Sequence, residues 1–305
     1  MTVTSTSRIS GLWIPLITPF RDGRIDEASF VRLIRHLLSS PIDGMIVAAT
    51  TGEGLTLSHE ETKRLAELAA TTIAGRVPLH LGIAGADTRA LGLAIEGTRR
   101  WPVEGYLVSC PSYVRPSQEG LRQHFLKLAD AAGERPLVVY NIPYRTGINL
   151  ANDTLLRLVE ERPNIAGIKD CCADPQQSVE LIGRRPPGFA VLTGEDAQYF
   201  SALTHGADGG ITASAHVNPG AFAKIRRDLL AGESDLARAA WHGLVDMVRL
   251  FFAEPNPAPV KHWLWRQGLI ASPELRLPMT GVTAVLAGRL DRLMQSRGVT
   301  KVAAE

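Results

Sequence analysis

Three groups of side chains in this 305-residue chain are of types that can do carbonyl chemistry. Lys169 closes the apolar run Ile165-Ala166-Gly167-Ile168. An ammonium at the end of such a run is withdrawn from water, which disfavours its charged form, lowers its pKa and leaves part of it as nucleophilic amine. An amine beside a carbonyl carbon forms an imine, and the protonated imine draws electrons from the adjacent carbon, so that an enamine can follow. Position alone leaves a second reading open, a lysine bridging to Asp170 or to another carboxylate at the same level. Tyr140 carries a similar ambiguity, between a general acid–base and amphipathic packing at the end of a strand. Thr50-Thr51-Gly52 offers hydroxyls and backbone N–H groups suited to a carboxylate, with glycine permitting close approach.

These groups can act together only if the elements that carry them converge. Short apolar runs at 12–18, 44–49, 77–83, 105–109, 137–141, 166–169, 190–193 and 210–213 alternate with amphipathic stretches. In one such stretch Phe30, Leu33, Ile34 and Leu37 fall on a single helical face. Helix starts are marked by the capping box Ser58-His59-Glu60-Glu61 and by Asp174-Pro175 and Asn218-Pro219, each a cap residue before a proline suited to the first turn. Strands alternating with helices are the pattern of βαβ units. Eight of them close most simply into a (β/α)8 TIM barrel, which takes about 250 residues. A doubly wound open sheet is the alternative, but its G-x-G-x-x-G turn is absent. We expect a catalytic barrel over 8–231 and a C-terminal helical segment over 232–305 packed on it, with helices at 234–252, 258–267 and 281–295. In a barrel the chemistry gathers where strands end and the following loops begin. That rule gathers Thr50, Thr51, Gly52, Tyr113, Tyr140, Arg145, Lys169, Gly194 and Ile211 at one rim.

Composition narrows the classes. The chain is 45% hydrophobic and 21% charged with a net charge of +2, and the charges are interspersed, so no nucleic-acid partner is expected. No apolar run reaches the roughly 18 residues of a membrane span, and residues 1–10 lack the apolar core of a signal peptide. Cys110, Cys171 and Cys172 form neither a disulfide framework nor a C-x-x-C pattern. These features point to a reducing cytoplasm and to small buried apolar roles for the cysteines. The eight histidines are scattered, and His59-Glu60 lacks the second histidine of H-E-x-x-H, so no metal is expected. G-x-S-x-G, the mark of a serine nucleophile, does not occur. The stretch 206–210 precedes a strand rather than opening a helix, which reads as a turn and not as a phosphate cradle.

Six motifs in order, Thr50-Thr51-Gly52-Glu53, Arg115-Pro116-Ser117-Gln118-Glu119-Gly120, Tyr140-Asn141-Ile142-Pro143, Gly167-Ile168-Lys169, Gly206-Ala207-Asp208-Gly209-Gly210-Ile211 and Pro259-Val260-Lys261, together span nearly the whole chain. In these the sequence resembles the dihydrodipicolinate synthase and N-acetylneuraminate lyase family of Schiff-base aldolases. The resemblance implies that Lys169 forms the imine with pyruvate, that Tyr140 shuttles protons, that Thr50 links Tyr140 to Tyr113, and that Thr51 with its backbone holds the pyruvate carboxylate. It implies no cofactor beyond the covalent imine, and a homo-oligomer, dimer or tetramer, in which Tyr113 reaches across an interface. Arg145 stands where the synthases of the family pair with the carboxylate of aspartate semialdehyde, and a guanidinium fork binds a carboxylate bidentately. The resemblance therefore favours a synthase-like lyase over a sister aldolase or dehydratase acting on a sugar acid or hydroxy-keto acid. A keto-acid-binding protein without activity would have no need of a buried amine.

Tyr144, the stretch Asp170-Cys171-Cys172-Ala173-Asp174 and His216 depart from the synthase pattern. None is expected to touch the imine machinery, and each is expected to bear on what the enamine attacks. At the positions where feedback-inhibited synthases bind lysine stand Gly54, His59, Thr62, Asp87, Leu91 and Ser112, with Leu91 in place of an acidic residue. No lysine inhibition at physiological concentrations is expected.

Overall fold

The computed structural model describes residues 9–172 and 174–299. Residue 8 and residues 300–305, the outer ends of the two expected segments, and Ala173 lie outside the described residues.

Eight parallel strands carry the frame: β1 (Gly11–Pro15), β2 (Gly44–Val47), β3 (Leu79–Ile83), β4 (Gly105–Ser109), β5 (Leu137–Asn141), β6 (Ile165–Asp170), β7 (Ala190–Thr193) and β8 (Gly209–Ile211). They close in the order β1-β8-β7-β6-β5-β4-β3-β2, because β1 pairs with β2 on one side and with β8 on the other. The open doubly wound sheet is thereby excluded. Three strands end earlier than their apolar runs, β8 among them at Ile211. β1 stops at Pro15, which has no N–H to give to a ladder. β2 stops at Val47 because Ala48 takes φ 56°, turning the chain into a short 3₁₀ turn, Thr50–Gly52.

The helices α1 (Glu27–Leu37), α2 (His59–Ile73), α3 (Thr88–Gly97), α4 (Gln118–Ala132), α5 (Asn152–Glu161), α6 (Pro175–Arg184), α7 (Tyr199–Thr204) and α8 (Pro219–Leu230) follow the strands around the barrel. The expected caps are in place. Ser58 and Glu61 form a reciprocal box at α2, while Asp174 accepts from the Gln176 N–H and Asn218 from the Ala221 N–H. The C-terminal segment adds α9 (Ser234–Phe251), α10 (Ala258–Arg266) and α11 (Ala284–Ser296). α11 begins three residues later than its apolar pattern, at the point where the Thr283 hydroxyl caps it by accepting from the Leu286 N–H.

Strand alternation divides the core in two. On β5, Leu137 and Val139 face outward into the layer shared with the helices, whereas Val138 and Tyr140 face the barrel axis. The axial cluster includes Trp13, Ile46, Leu107, Leu192 and Ile211, and the rings of Trp13 and His80 meet there with centroids 4.6 Å apart. The barrel is thus filled with side chains, and the space for chemistry lies above them. No helix of the described residues is long and apolar enough to cross a membrane.

Candidate active site

Lys169 and Tyr140 are register partners on the adjacent strands β6 and β5, which sets them side by side. Each is only 5% exposed, and the Lys169 Nζ lies 4.3 Å from the centre of the Tyr140 ring. Burial pulls the Lys169 ammonium below the ordinary lysine range, against the opposing pull of the Asp196 and Glu195 carboxyls. No salt bridge to Lys169 is found among the described residues. The bridge to Asp170 is excluded, since that carboxylate accepts from the Ser178 hydroxyl at 2.5 Å and from the Cys172 N–H at 3.1 Å. Burial also holds the Tyr140 phenol well above its usual pKa, while a hydrogen bond with Thr50 acts in the other direction. A phenol so held stays protonated and is ready to donate.

Gly194 follows β7 at the level just above Lys169, its N–H donating to the Asp170 carbonyl at 2.8 Å. A Cβ there would come within 2.5 Å of the Lys169 Cε and 2.4 Å of the Cys171 Sγ. Both side chains therefore share one small space. The reason is the two-residue period of a strand: Gly167, Lys169 and Cys171 point to the same side of β6. The expectation that the departure at Asp170–Asp174 stays clear of the groups assigned to the imine is corrected: Cys171 lies against Lys169. Burial pushes the Cys171 thiol well above its ordinary pKa, so it stands beside the amine as a neutral group.

Thr51 and Gly52 are buried in the turn after β2, and Thr50 is half-buried there beside Tyr140. Ile211 belongs to the axial cluster beneath. Arg145 is exposed on the rim, its guanidinium 5.5 Å from the centre of the Tyr144 ring. Tyr144 is itself 62% exposed, lying beside Arg145 at the mouth and not in the floor of the pocket. Tyr113 is not brought into the site within one chain. It is 92% exposed, on backbone with φ 73°, with its N–H held by the Thr146 carbonyl.

Glu195 and Asp196 did not come out of the sequence, although they follow Gly194 directly and the rule of strand ends would have reached them. Burial raises both carboxyls, and Asp196 is anchored by the N–H groups of Ser214 and Ala213 at 2.5 and 3.2 Å. His216 also needs correction. It is wholly buried, its Nε2 accepts from the Ile17 N–H at 3.2 Å, and its Nδ1 donates to the Ala213 carbonyl at 2.8 Å. Both ring nitrogens are spent on backbone, so it holds the loops after β1 and β8 together and has nothing left for a substrate. Among the described residues no cluster of His, Cys, Asp or Glu is arranged to hold a metal ion.

Burial lowers the pKa of His216 to about 4, of His80 to about 3 and of His124 to about 4. The unfolded chain takes up protons at these imidazoles below pH ~6.5, while the folded chain does not until near those lower values. Stability is therefore complete above pH 6.5 and falls as pH drops from there towards 4, by about 1.4 kcal/mol per pH unit for each imidazole. The urea midpoint should drop between pH 7 and pH 5, and His216→Asn should flatten that slope. A midpoint constant over this range would contradict the assignment.

Residues 8–296 match the model of the dihydrodipicolinate synthetase family. A 4-hydroxy-tetrahydrodipicolinate synthase 2 of Clostridium acetobutylicum is 40% identical over 287 residues, covering 94% of this chain and all of its own. A 4-hydroxy-tetrahydrodipicolinate synthase of Desulfotalea psychrophila is 37% identical, covering 90% of this chain and 92% of its own. Among solved structures, the dihydrodipicolinate synthase of Aquifex aeolicus superposes with a TM-score of 0.92 at 30% identity, over 96% of this chain and all of that one.

Proposed function

The chain belongs to the dihydrodipicolinate synthetase family, and from that premise we propose that it is a Schiff-base lyase condensing pyruvate with L-aspartate 4-semialdehyde. The observation that carries this reading is a lysine buried against a tyrosine with no salt-bridge contact among the described residues, above a filled barrel. Lys169 attacks the ketone carbon of pyruvate. Tyr140, with Thr50 and with Tyr113 of a neighbouring subunit, passes the protons that let the carbinolamine lose water. Thr51 and the backbone through Gly52 hold the carboxylate, Gly194 leaves room for the lysine stem, and Ile211 closes the apolar floor. Loss of a proton from the methyl carbon gives the enamine, which attacks the aldehyde carbon. The amine of the adduct then closes on the imine carbon and expels Lys169. Every step is acid–base or imine chemistry, so the proposal needs no cofactor or metal. The barrel over 8–231 is its catalytic part and 232–305 the packed helical segment. The assembly is a homo-oligomer, dimer or tetramer, in the cytoplasm. Borohydride trapping with pyruvate followed by peptide mass analysis, beside a turnover assay with aspartate semialdehyde, tests the reading. No adduct on Lys169 would overturn it.

One observation favours a sister reaction on a polyhydroxylated acid. Glu195 is hydrogen-bonded by the Cys171 thiol and lies close enough to Lys169 and Arg145 to feel their charges, and a carboxylate at the mouth suits substrate hydroxyls. An adduct on Lys169 without turnover of aspartate semialdehyde would select that reaction.

Arg145→Ala should raise the KM for the aldehyde by about tenfold or more, the worth of one charge-assisted contact, and leave imine formation with pyruvate within about twofold. Equal losses in both would remove Arg145 from this role. Insensitivity to lysine is also part of the proposal. A cleft of about 170 Å³ brings Gly54, His59, Thr62 and Leu91 together beside Trp101, and no carboxylate lines it to receive an ammonium. L-Lysine should not reach half-maximal inhibition below about 1 mM, an affinity worth roughly 4 kcal/mol. Inhibition in the micromolar range would refute this.

A further inference from the structure

Two motifs have no task in the chemistry above, Glu53 after the Thr50–Gly52 turn and Lys261 on α10, and the fold joins them. Lys261 is fully buried, and its Nζ donates to the Glu53 Oε1 at 2.5 Å and to the Glu274 carbonyl at 2.7 Å. The other oxygen of Glu53 accepts from the Arg276 N–H at 3.0 Å. Glu53 sits at φ 54°, between two glycines whose Cβ atoms would strike the carbonyls of Leu16 and Ala48. The turn is thus pressed against the barrel mouth on one side and tied to the C-terminal segment on the other. A second tie runs to the turn itself. The Asn256 Nδ2 donates to the Thr51 Oγ1 at 3.0 Å, across 205 positions of sequence. Its Oδ1 has no partner among the described residues, so that bond is the amide side chain's one connection.

We propose that the C-terminal segment positions the carboxylate-binding turn: Asn256 fixes the direction of the Thr51 hydroxyl, and the Lys261–Glu53 pair fixes the height of the turn. This rests on the reading of Thr51 as the carboxylate donor. A hydroxyl that accepts from an amide N–H must send its own proton elsewhere, and the direction left is the pocket, where a carboxylate accepts it. Asn256, Lys261 and Glu53 are positioning residues, which act on the substrate through Thr51 and the backbone of its turn.

The test is the pyruvate dependence of borohydride trapping, read with kcat and the thermal midpoint, in Asn256→Ala, Asn256→Asp, the double variant Glu53→Gln/Lys261→Met, and Thr51→Val. Asn256→Ala should raise half-saturating pyruvate about tenfold, because the released Thr51 hydroxyl no longer holds its hydrogen bond to the charged carboxylate, with kcat within about threefold. Asn256→Asp fills the same space but accepts where asparagine donates, so it should do no better than alanine. A role in packing alone would let aspartate behave as wild type. The double variant removes both buried charges together and keeps the volume, and it should shift the same parameter in the same direction. Wild-type pyruvate dependence in Asn256→Asp and in the double variant, while Thr51→Val shifts it, would overturn the positioning role and leave the proposed function standing. No shift in Thr51→Val would instead remove the carboxylate-binding reading itself.

Discussion

Lys169→Ala should lower turnover on the order of 10⁴-fold or more, the usual scale for loss of a nucleophile that no neighbour can replace, and should abolish borohydride trapping with pyruvate. That loss corresponds to about 5.5 kcal/mol of activation free energy. The fold should survive it. No salt bridge to Lys169 is found among the described residues, so its removal orphans no carboxylate, and Asp196 keeps the N–H groups of Ala213 and Ser214. What is lost structurally is the lysine stem and its contact with the Tyr140 ring. Lys169→Met restores the stem without the amine and should be as inactive as alanine. Circular dichroism and the thermal midpoint give the control. Turnover within tenfold of wild type in either variant would mean that the imine is not formed here.

Gly194→Ala should cost about 10²-fold in kcat, although residue 194 carries no reactive group. The added methyl would lie 2.5 Å from the Lys169 Cε and 2.4 Å from the Cys171 Sγ. The backbone cannot easily retreat, because its N–H is bonded to the Asp170 carbonyl at 2.8 Å. The side chains must give way, and displacing the amine by about 1 Å is enough for a loss of that size. Overpacking should cost about 1–3 kcal/mol of stability as well. Cys171→Gly in the same chain empties one of the two collision partners and should recover part of the activity. Recovery beyond the sum of the separate effects would measure the coupling between the two sites. Full activity in Gly194→Ala alone would show that the lysine stem does not need this space.

Much of this was written along the chain in local terms. Apolar runs of strand length, helical spacing at Phe30–Leu37, and the caps at Ser58, Asp174 and Asn218 are set by residues within a turn or two of each other, so they are legible without the fold. The burial of Lys169 follows in the same way from the apolar residues that precede it. Even the closeness of Cys171 to Lys169 was available, since residues two apart on a strand share a face. The histidine at 216 was not legible. Its partners, the Ile17 N–H and the Ala213 carbonyl, are donor and acceptor atoms that every residue carries, so no pattern of residue types announces them.

What the sequence determined by itself is the kind of elements, their order, and the residue types placed at their ends, since these depend on short-range sterics and on which faces are apolar. What only the tertiary structure decided is which distant groups share a space. The amide of Asn256 meets the hydroxyl of Thr51, Lys261 is sealed beside Glu53, and Tyr113 is left in solvent. Those outcomes depend on barrel closure and on how the last three helices dock. Closure brings β8 against β1 and with it residues some two hundred positions apart, which no local preference of the chain encodes.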